Sequence, residues 1–284
     1  IGSGAGDFSL EANEIGALDH TDSEILIIGS GAAGDILIGA IDFRTAVNAT
    51  AAGNKIQILG ANVGIGGLVN TTGMDMSIIS SGAVTDTAND DNSSITADKV
   101  TITVNGTGDI GETGDTLETT ADELVITTQN DGATAGDIFI KDLITGTTTQ
   151  LTLDTAGGST ATAGAINISS DTDLTIVSAN AFGSGAGSTV TIATTKDGGT
   201  ISDADTASNV VVDIVGTTVK LDSQSDIGVT GTGRGLDISA TTLDIGTTAG
   251  DTATGVSGKI FIQELSTTGT KLTVDTADVG TTAG

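Results

Sequence analysis

Apolar residues recur at every second position in short runs along the whole chain, and glycine or polar residues separate the runs. The runs include Val100-Thr-Ile-Thr-Val, Ile138-Phe-Ile and Leu272-Thr-Val. A period of two is the pattern of a strand whose alternate side chains face a core. Helical periodicity is missing, and Gly and Thr, which are poor helix formers, are abundant. The pattern therefore predicts an all-β chain.

One pair of predicted strands occurs twice as a longer repeat. Residues 258–280 read GKIFIQELSTTGTKLTVDTADVG, and residues 136–158 read GDIFIKDLITGTTTQLTLDTAGG; a weaker echo, GDILI, begins at Gly34. We interpret the repeat as a building unit in which glycine marks a corner. Ile260 and Ile262 are expected on one face of a strand, residues 267–269 turn the chain, and Leu272 and Val274 line the next wall.

Short strands joined by Gly, Asp and Thr corners favour a stacked architecture. A membrane barrel needs strands of about 9–11 residues with aromatic belts, which the pattern lacks. We predict a parallel β-helix, a β-solenoid with coils of about 20–30 residues stacked about 4.8 Å apart. Residues 1–284 are expected to form a single segment, part of a longer repetitive chain or filament, because both ends read as mid-repeat. Loops are expected to leave the coils at 85–94, 179–188 and 196–208.

Composition agrees with a thin, layered core. Apolar residues make up 37% of the chain but aromatic residues only 2%, so Ile, Val, Leu and Ala must fill the interior. The net charge of −28 argues against nucleic acid and anionic membranes as partners, because both are polyanions. The absence of cysteine is compatible with an exported surface protein, and no run is long enough to span a membrane.

The repeat style resembles a known class of protein. Asp226-Ile-Gly-Val-Thr, Leu236-Asp-Ile and Gly258-Lys-Ile-Phe-Ile are similar to the β-helical repeat regions of large secreted bacterial surface proteins of the filamentous-haemagglutinin type. The resemblance covers most of the chain and is strongest from about residue 115 onward. It implies a right-handed β-helix shaft, secretion to the cell surface, and a role in adhesion or surface structure.

Two patterns suggest chemistry that the rest of the sequence does not support. Gly29, Gly31 and Gly34 match the dinucleotide-binding fingerprint, which requires a helix directly afterwards. Period-two residues follow instead, so we predict a strand–turn–strand corner and no cofactor. His20 is the only histidine, which leaves a Ser-His-Asp arrangement or a two-histidine metal site without support.

Acidic residues provide the remaining candidates for chemistry. Paired carboxylates occur at Asp171/Asp173, Asp203/Asp205 and Asp90/Asp91. Calcium prefers oxygen ligands, so the acidic stretch with Asp86, Asp90, Asp91 and Asn92 is the best candidate for a structural calcium loop, with a solvated loop as the alternative. Polysaccharide-processing β-helix enzymes also use clustered aspartates. Here the few Lys and Arg residues are scattered and aromatic residues are scarce, which disfavours an enzyme.

These observations support one main hypothesis and two alternatives. The main hypothesis is a non-enzymatic extracellular shaft, structural or adhesive, that associates end to end or continues in the same chain. Cell-surface glycans or other surface proteins are further candidate partners. The first alternative is a calcium-stabilised surface-layer or matrix component. The second is a polysaccharide-processing enzyme.

Overall fold

The fold is built almost wholly from short parallel strands. The computed structural model describes residues 25–30, 34–45, 54–88, 91–92, 94–129, 134–155, 162–183, 187–205, 211–228, 235–247, 258–266 and 269–275. Within them lie β1 (Ile25–Gly29), β2 (Ile36–Ile38), β3 (Ile41–Asp42), β4 (Lys55–Gly60), β5 (Val63–Ile65), β6 (Val69–Ser80), β7 (Val84–Asp86), β8 (Ile95–Val104), β9 (Leu117–Thr120), β10 (Glu123–Thr128), β11 (Ile138–Asp142), β12 (Thr148–Asp154), β13 (Ile166–Ser170), β14 (Asp173–Asn180), β15 (Thr189–Thr194), β16 (Ile201–Asp203), β17 (Ile214–Ser223), β18 (Leu236–Thr247), β19 (Ile262–Glu264) and β20 (Lys271–Asp275). A single 3-10 turn, Phe43–Thr45, is the helical element of these ranges, and none of the described helices is long and apolar enough to cross a membrane.

Strands stack in register on the strands one coil away, and every pairing between named strands is parallel. One column, the β11 column, contains Ile36, Val63, Val84, Ile110, Ile138, Ile166, Val190, Val219, Leu243 and Leu272. Its successive members are 21 to 29 residues apart. The expected coil length is therefore confirmed, and the chain is a parallel β-solenoid. The right-handed winding stays a prediction.

The interior consists of stacked aliphatic side chains. A second column, on the wall formed by β4, β6, β8, β10 and β12, contains Ile58, Ile78, Ile102, Ile126 and Leu153, and all of them are fully buried. Along β10 the exposed fraction alternates between partly exposed and buried residues, as the period-two pattern predicts. Burying aliphatic surface contributes about 25 cal/mol per Å². Repeated layers of this kind can therefore hold the fold without aromatic residues.

The two copies of the long repeat occupy different walls of the solenoid. Ile138 of the first copy lies in the β11 column, in line with Leu272 of the second copy. Ile260 of the second copy instead lies in a column with Leu174, Ile201 and Ile227. The copies are therefore shifted by half a coil. Both walls need the same inward aliphatic residues, so one sequence unit fits either of them.

In the second copy of the repeat, the predicted alignment of Leu272 and Val274 with an inner wall is confirmed, but both side chains are more exposed than a wall position predicts. Leu272 and Val274 continue the inner columns of Leu243 and Ile245, as predicted for a wall. Their exposed fractions are nevertheless 55% and 50%. All five residues of β20 are exposed, because the described residues provide no further layer above this strand.

Candidate functional site: acidic clusters on the solenoid

The predicted calcium residues have different environments. Asp86 ends β7 with its side chain turned inward, and it is 4% exposed. Its Oδ1 accepts a hydrogen bond from the Ala88 N–H at 2.7 Å, and its Oδ2 accepts one from the Ser94 hydroxyl at 2.8 Å. Asp91 and Asn92 are exposed, and Asp90 lies outside the described residues. Asp86 is thus part of a buried corner, whereas Asp91 faces solvent.

Glu118 on β9 completes the buried corner next to Asp86. It is only 2% exposed, and its carboxyl lies against the carboxyl of Asp86. The Thr116 hydroxyl donates to Glu118 Oε1 at 2.7 Å, while Glu118 Oε2 has no hydrogen-bond partner among the described residues. Burial raises the pKa of Glu118 to about 7, and the charge of Asp86 adds to this effect.

Asp115 extends this group toward solvent. Burial and then the charges of Asp86, Glu112 and Asp91 raise the pKa of Asp115 above its usual value. The ammonium of Lys141 lies 3.7 Å from Asp91, on the exposed side of this group. We call Asp86, Asp115 and Glu118 the β9 acidic cluster.

A second acidic cluster lies further along the solenoid. Carboxylate oxygens of Asp203, Asp205 and Asp213 are all within 4.8 Å of one another, which is close enough to share a metal ion. Asp213 is 4% exposed and accepts a hydrogen bond from the Asp237 N–H at 2.8 Å. Burial raises the pKa of Asp213 to about 7, and the charges of neighbouring aspartates add to this effect. The sequence predicted the Asp203/Asp205 pair but missed Asp213.

Both copies of the long repeat contain an acidic residue at the same position, and its role is structural. Asp142 is fully buried and accepts hydrogen bonds from the hydroxyls of Thr149 at 2.7 Å and Ser170 at 3.0 Å. Glu264 occupies the same repeat position, and the Thr270 hydroxyl donates to it at 2.7 Å. Each acid therefore ties the end of its strand to the start of the next. Burial raises the pKa of Asp142 to about 6, although these hydroxyl groups oppose the shift.

The carboxylates of Asp171 and Asp173 link two successive coils. The Lys196 ammonium lies 2.6 Å from Asp173, and the N–H of Thr200 donates to the same carboxylate at 2.8 Å. The Thr195 hydroxyl donates to Asp171. Although burial opposes it, the contact with Lys196 lowers the pKa of Asp173. These two carboxylates therefore already have protein partners.

The glycine fingerprint lies at a corner between strands. Gly29 ends β1, and β2 follows at Ile36–Ile38, so the two strands on either side of the predicted corner are confirmed. Dinucleotide binding needs a helix directly after these glycines, whereas the next described element is the strand Ile36–Ile38. Gly31 and His20 lie outside the described residues.

Raised carboxyl pKa values make the stability of the solenoid dependent on pH. A carboxyl whose pKa is higher in the folded state than its unfolded value of about 4 binds a proton more tightly when folded. The protonated form of Asp213 therefore stabilises the folded state relative to high pH. This contribution is fully present below about pH 4 and is lost as the pH rises through about 7. In a chelator, the melting temperature should fall between pH 5.5 and pH 8.

The variant Asp213→Asn should weaken this pH dependence and raise the melting temperature at pH 8. Its amide oxygen can still accept the hydrogen bond from Asp237, so the geometry is kept. Asp244→Asn removes one charge from a partly exposed position and is the control. A melting temperature that is constant or rises from pH 5.5 to pH 8 contradicts this account.

Comparison of the chain with protein-family models, with curated proteins and with solved structures finds no match.

Proposed function

We propose that this chain is a segment of a non-enzymatic extracellular shaft, in a surface protein of the filamentous-haemagglutinin type or in a filament. The observation that carries the proposal is the β11 column, which runs through ten residues from Ile36 to Leu272 without a break. Because each coil adds one layer of about 4.8 Å, the number of coils sets the length of the rod. A rod whose length is set by the number of its coils is suited to serve as a spacer or a support.

The exposed layer at β20 supports an end-to-end assembly. Leu272 and Val274 point along the inner columns and remain half-exposed. A parallel ladder ends in unpaired N–H and C=O groups, which another strand can pair with. A further coil of the same protein, or a second copy, would cover these side chains and complete the ladder. The strongly negative surface keeps such a rod soluble and limits lateral aggregation.

Deleting one complete coil tests the shaft role through its modular length. Thr191 is the register partner of Asn167, so removing residues 167–190 joins Ile166 to Thr191 in the same column. We expect this variant to keep a β circular dichroism spectrum and a cooperative melt. Its maximum dimension in small-angle X-ray scattering should fall by about 5 Å.

The control deletes half a coil, residues 167–178, which joins Ile166 to a residue of the other wall. This variant should lose its cooperative melt, because the inner columns no longer align. Equal damage by the two deletions contradicts a modular shaft. Antibody labelling of intact producing cells tests the location, and cleavage of an acidic polysaccharide by the purified chain would assign it to the enzyme class instead.

Calcium-stabilised surface-layer or matrix material is the second candidate function. The observation that favours it is the close approach of Asp203, Asp205 and Asp213. Clustered carboxylates on a rod of high negative charge can bind calcium and bridge to neighbouring rods. Calcium-dependent lateral association in light scattering supports this role, and association that a chelator leaves unchanged contradicts it.

A further inference from the structure

The buried corner between β7 and β9 contains more negative charge than its hydrogen bonds satisfy. Asp86 and Glu118 are 4% and 2% exposed, and their carboxyl groups lie against each other. A buried carboxylate is stable only when a cation, a proton or hydrogen-bond donors compensate for its lost hydration. Asp86 has two such donors, whereas Glu118 Oε2 has none among the described residues.

The unpartnered oxygen points to a ligand of positive charge. Each oxygen of Asp86 accepts one hydrogen bond and retains a second lone pair. Asp115 adds a third carboxyl to the solvent side of the same corner. Lys141 is the register partner of Glu118 on β11, but the carboxylate with which its ammonium forms an ion pair, at 3.7 Å, is that of the exposed Asp91. The site offers several carboxylate oxygens and no soft ligand. Such a set of ligands favours a hard divalent cation.

We propose that the Asp86–Glu118 pair of the β9 acidic cluster binds a calcium ion as direct ligands, and that the negative charge of Asp115, which acts on Asp86, attracts the cation to this corner. The ion bridges two successive coils, because β7 and β9 belong to neighbouring layers. It thereby secures the corner at which the Ser94 hydroxyl donates to Asp86 at 2.8 Å. This site differs from the predicted loop in its essential residue, which is the buried Glu118 rather than an exposed aspartate.

The test uses the full 284-residue chain, stripped with a chelator at pH 7.5, and titrates it with calcium chloride up to 10 mM. The readouts are the melting temperature and the heat of binding. We expect saturable binding that raises the melting temperature by about 5 °C when calcium exceeds its dissociation constant about 100-fold. Magnesium should have a weaker effect, because it demands a stricter octahedral geometry.

Glu118→Gln is the decisive variant, since it removes the charge but keeps an oxygen for Thr116. We expect it to weaken calcium binding at least tenfold. In the chelator it should melt at or above the wild-type temperature, because the amide can donate to Asp86 and no buried charge remains. Asp244→Asn should respond to calcium as the wild type does. If Glu118→Gln fails to fold, Asp115→Asn replaces it and should weaken binding several-fold.

Three results would overturn the proposal. The first is a wild-type melting temperature that calcium does not change. The second is an equal calcium response in the wild type and in Glu118→Gln or Asp115→Asn, which would place the ion elsewhere, for example at Asp213. The third is a melting temperature that depends on pH but not on calcium, which would mean that Glu118 and Asp86 share a proton. None of these results affects the shaft role, which the coil deletions test separately.

Discussion

Replacing Gly136 with alanine is expected to lower the free energy of unfolding by about 3 kcal/mol or more, a cost of the overpacking kind. A Cβ atom on Gly136 would lie 1.8 Å from the carbonyl oxygen of Gly108 and 2.5 Å from its carbonyl carbon. Both atoms belong to the backbone of the coil below, so no side-chain rotation can relieve the overlap. Gly164 meets the carbonyl oxygen of Gly136 in the same way, at 2.1 Å. The corner glycines therefore let successive coils approach each other.

Chemical denaturation of Gly136→Ala measures this cost, and Gly39→Ala is the matched control. A Cβ atom on Gly39 would meet nothing within 4 Å. The control should therefore change the free energy of unfolding by no more than about 0.5 kcal/mol, as is usual for surface substitutions. If both variants lose the same stability, the corner glycines do not set the spacing between coils.

Ile102→Ala is expected to cost about 2–5 kcal/mol, the usual range for truncating a fully buried Ile to Ala. Ile102 is fully buried between Ile78 and Ile126, its partners in the coils on either side. Truncation leaves a cavity between two layers whose spacing the backbone ladder fixes, so the surroundings cannot collapse into it. Leu37→Ala, at a position that is 70% exposed, should change stability by less than about 0.5 kcal/mol.

A double-mutant cycle of Ile102→Ala with Ile126→Ala tests the stacking itself. Residues in contact show interaction energies of about 0.5–3 kcal/mol, whereas distant residues are additive. Ile102 and Ile238 are several coils apart, so their two truncations should be additive. An interaction energy that is equal for the pair Ile102 and Ile126 and for the pair Ile102 and Ile238 contradicts a layered core.

The alternation of apolar residues predicted the strands and the solenoid well, because every coil needs inward aliphatic side chains at alternate positions of its strands. It was less informative where apolar residues are contiguous. In β1 (Ile25–Gly29) the register with β4 turns Leu26 and Ile28 inward, and Ile25 and Ile27 are 52% and 48% exposed. A run of consecutive apolar residues does not reveal which of its two faces is the inner one.

The repeat copies show a second limit of sequence reasoning. Their similarity predicted a common building unit, and the structure confirms the two strands of each copy, while residues 267 and 268 of the second predicted turn lie outside the described residues. It did not predict that Ile138 and Ile260 lie on different walls. Two walls with the same inner chemistry accept the same sequence, so similarity alone cannot assign a segment to one of them.

The candidate site was predicted only in part, because its members come from different coils. Asp86 was identified from its acidic surroundings, whereas Glu118 was missed. In the segment Leu117-Glu-Thr, alternation places Glu118 on the outer face, yet it is 2% exposed and lies against Asp86 of the neighbouring coil. The one signal in the sequence was the spacing, because Glu118 follows Ser94 by about one coil length; in the structure the Ser94 N–H donates to the Glu118 carbonyl at 3.0 Å.

The central claim, that each coil adds one layer to a rod, can be measured with pairs of spin labels. The chain has no cysteine, so pairs of introduced cysteines are labelled uniquely. Residues 37, 167 and 244 lie on the outer side of the β11 column, with Asn167 five layers and Asp244 eight layers from Leu37. Double electron–electron resonance should give mean separations of about 24 Å and about 38 Å for these two pairs. Separations that are equal, or that do not increase with the number of coils, would contradict the solenoid and the shaft function that depends on it.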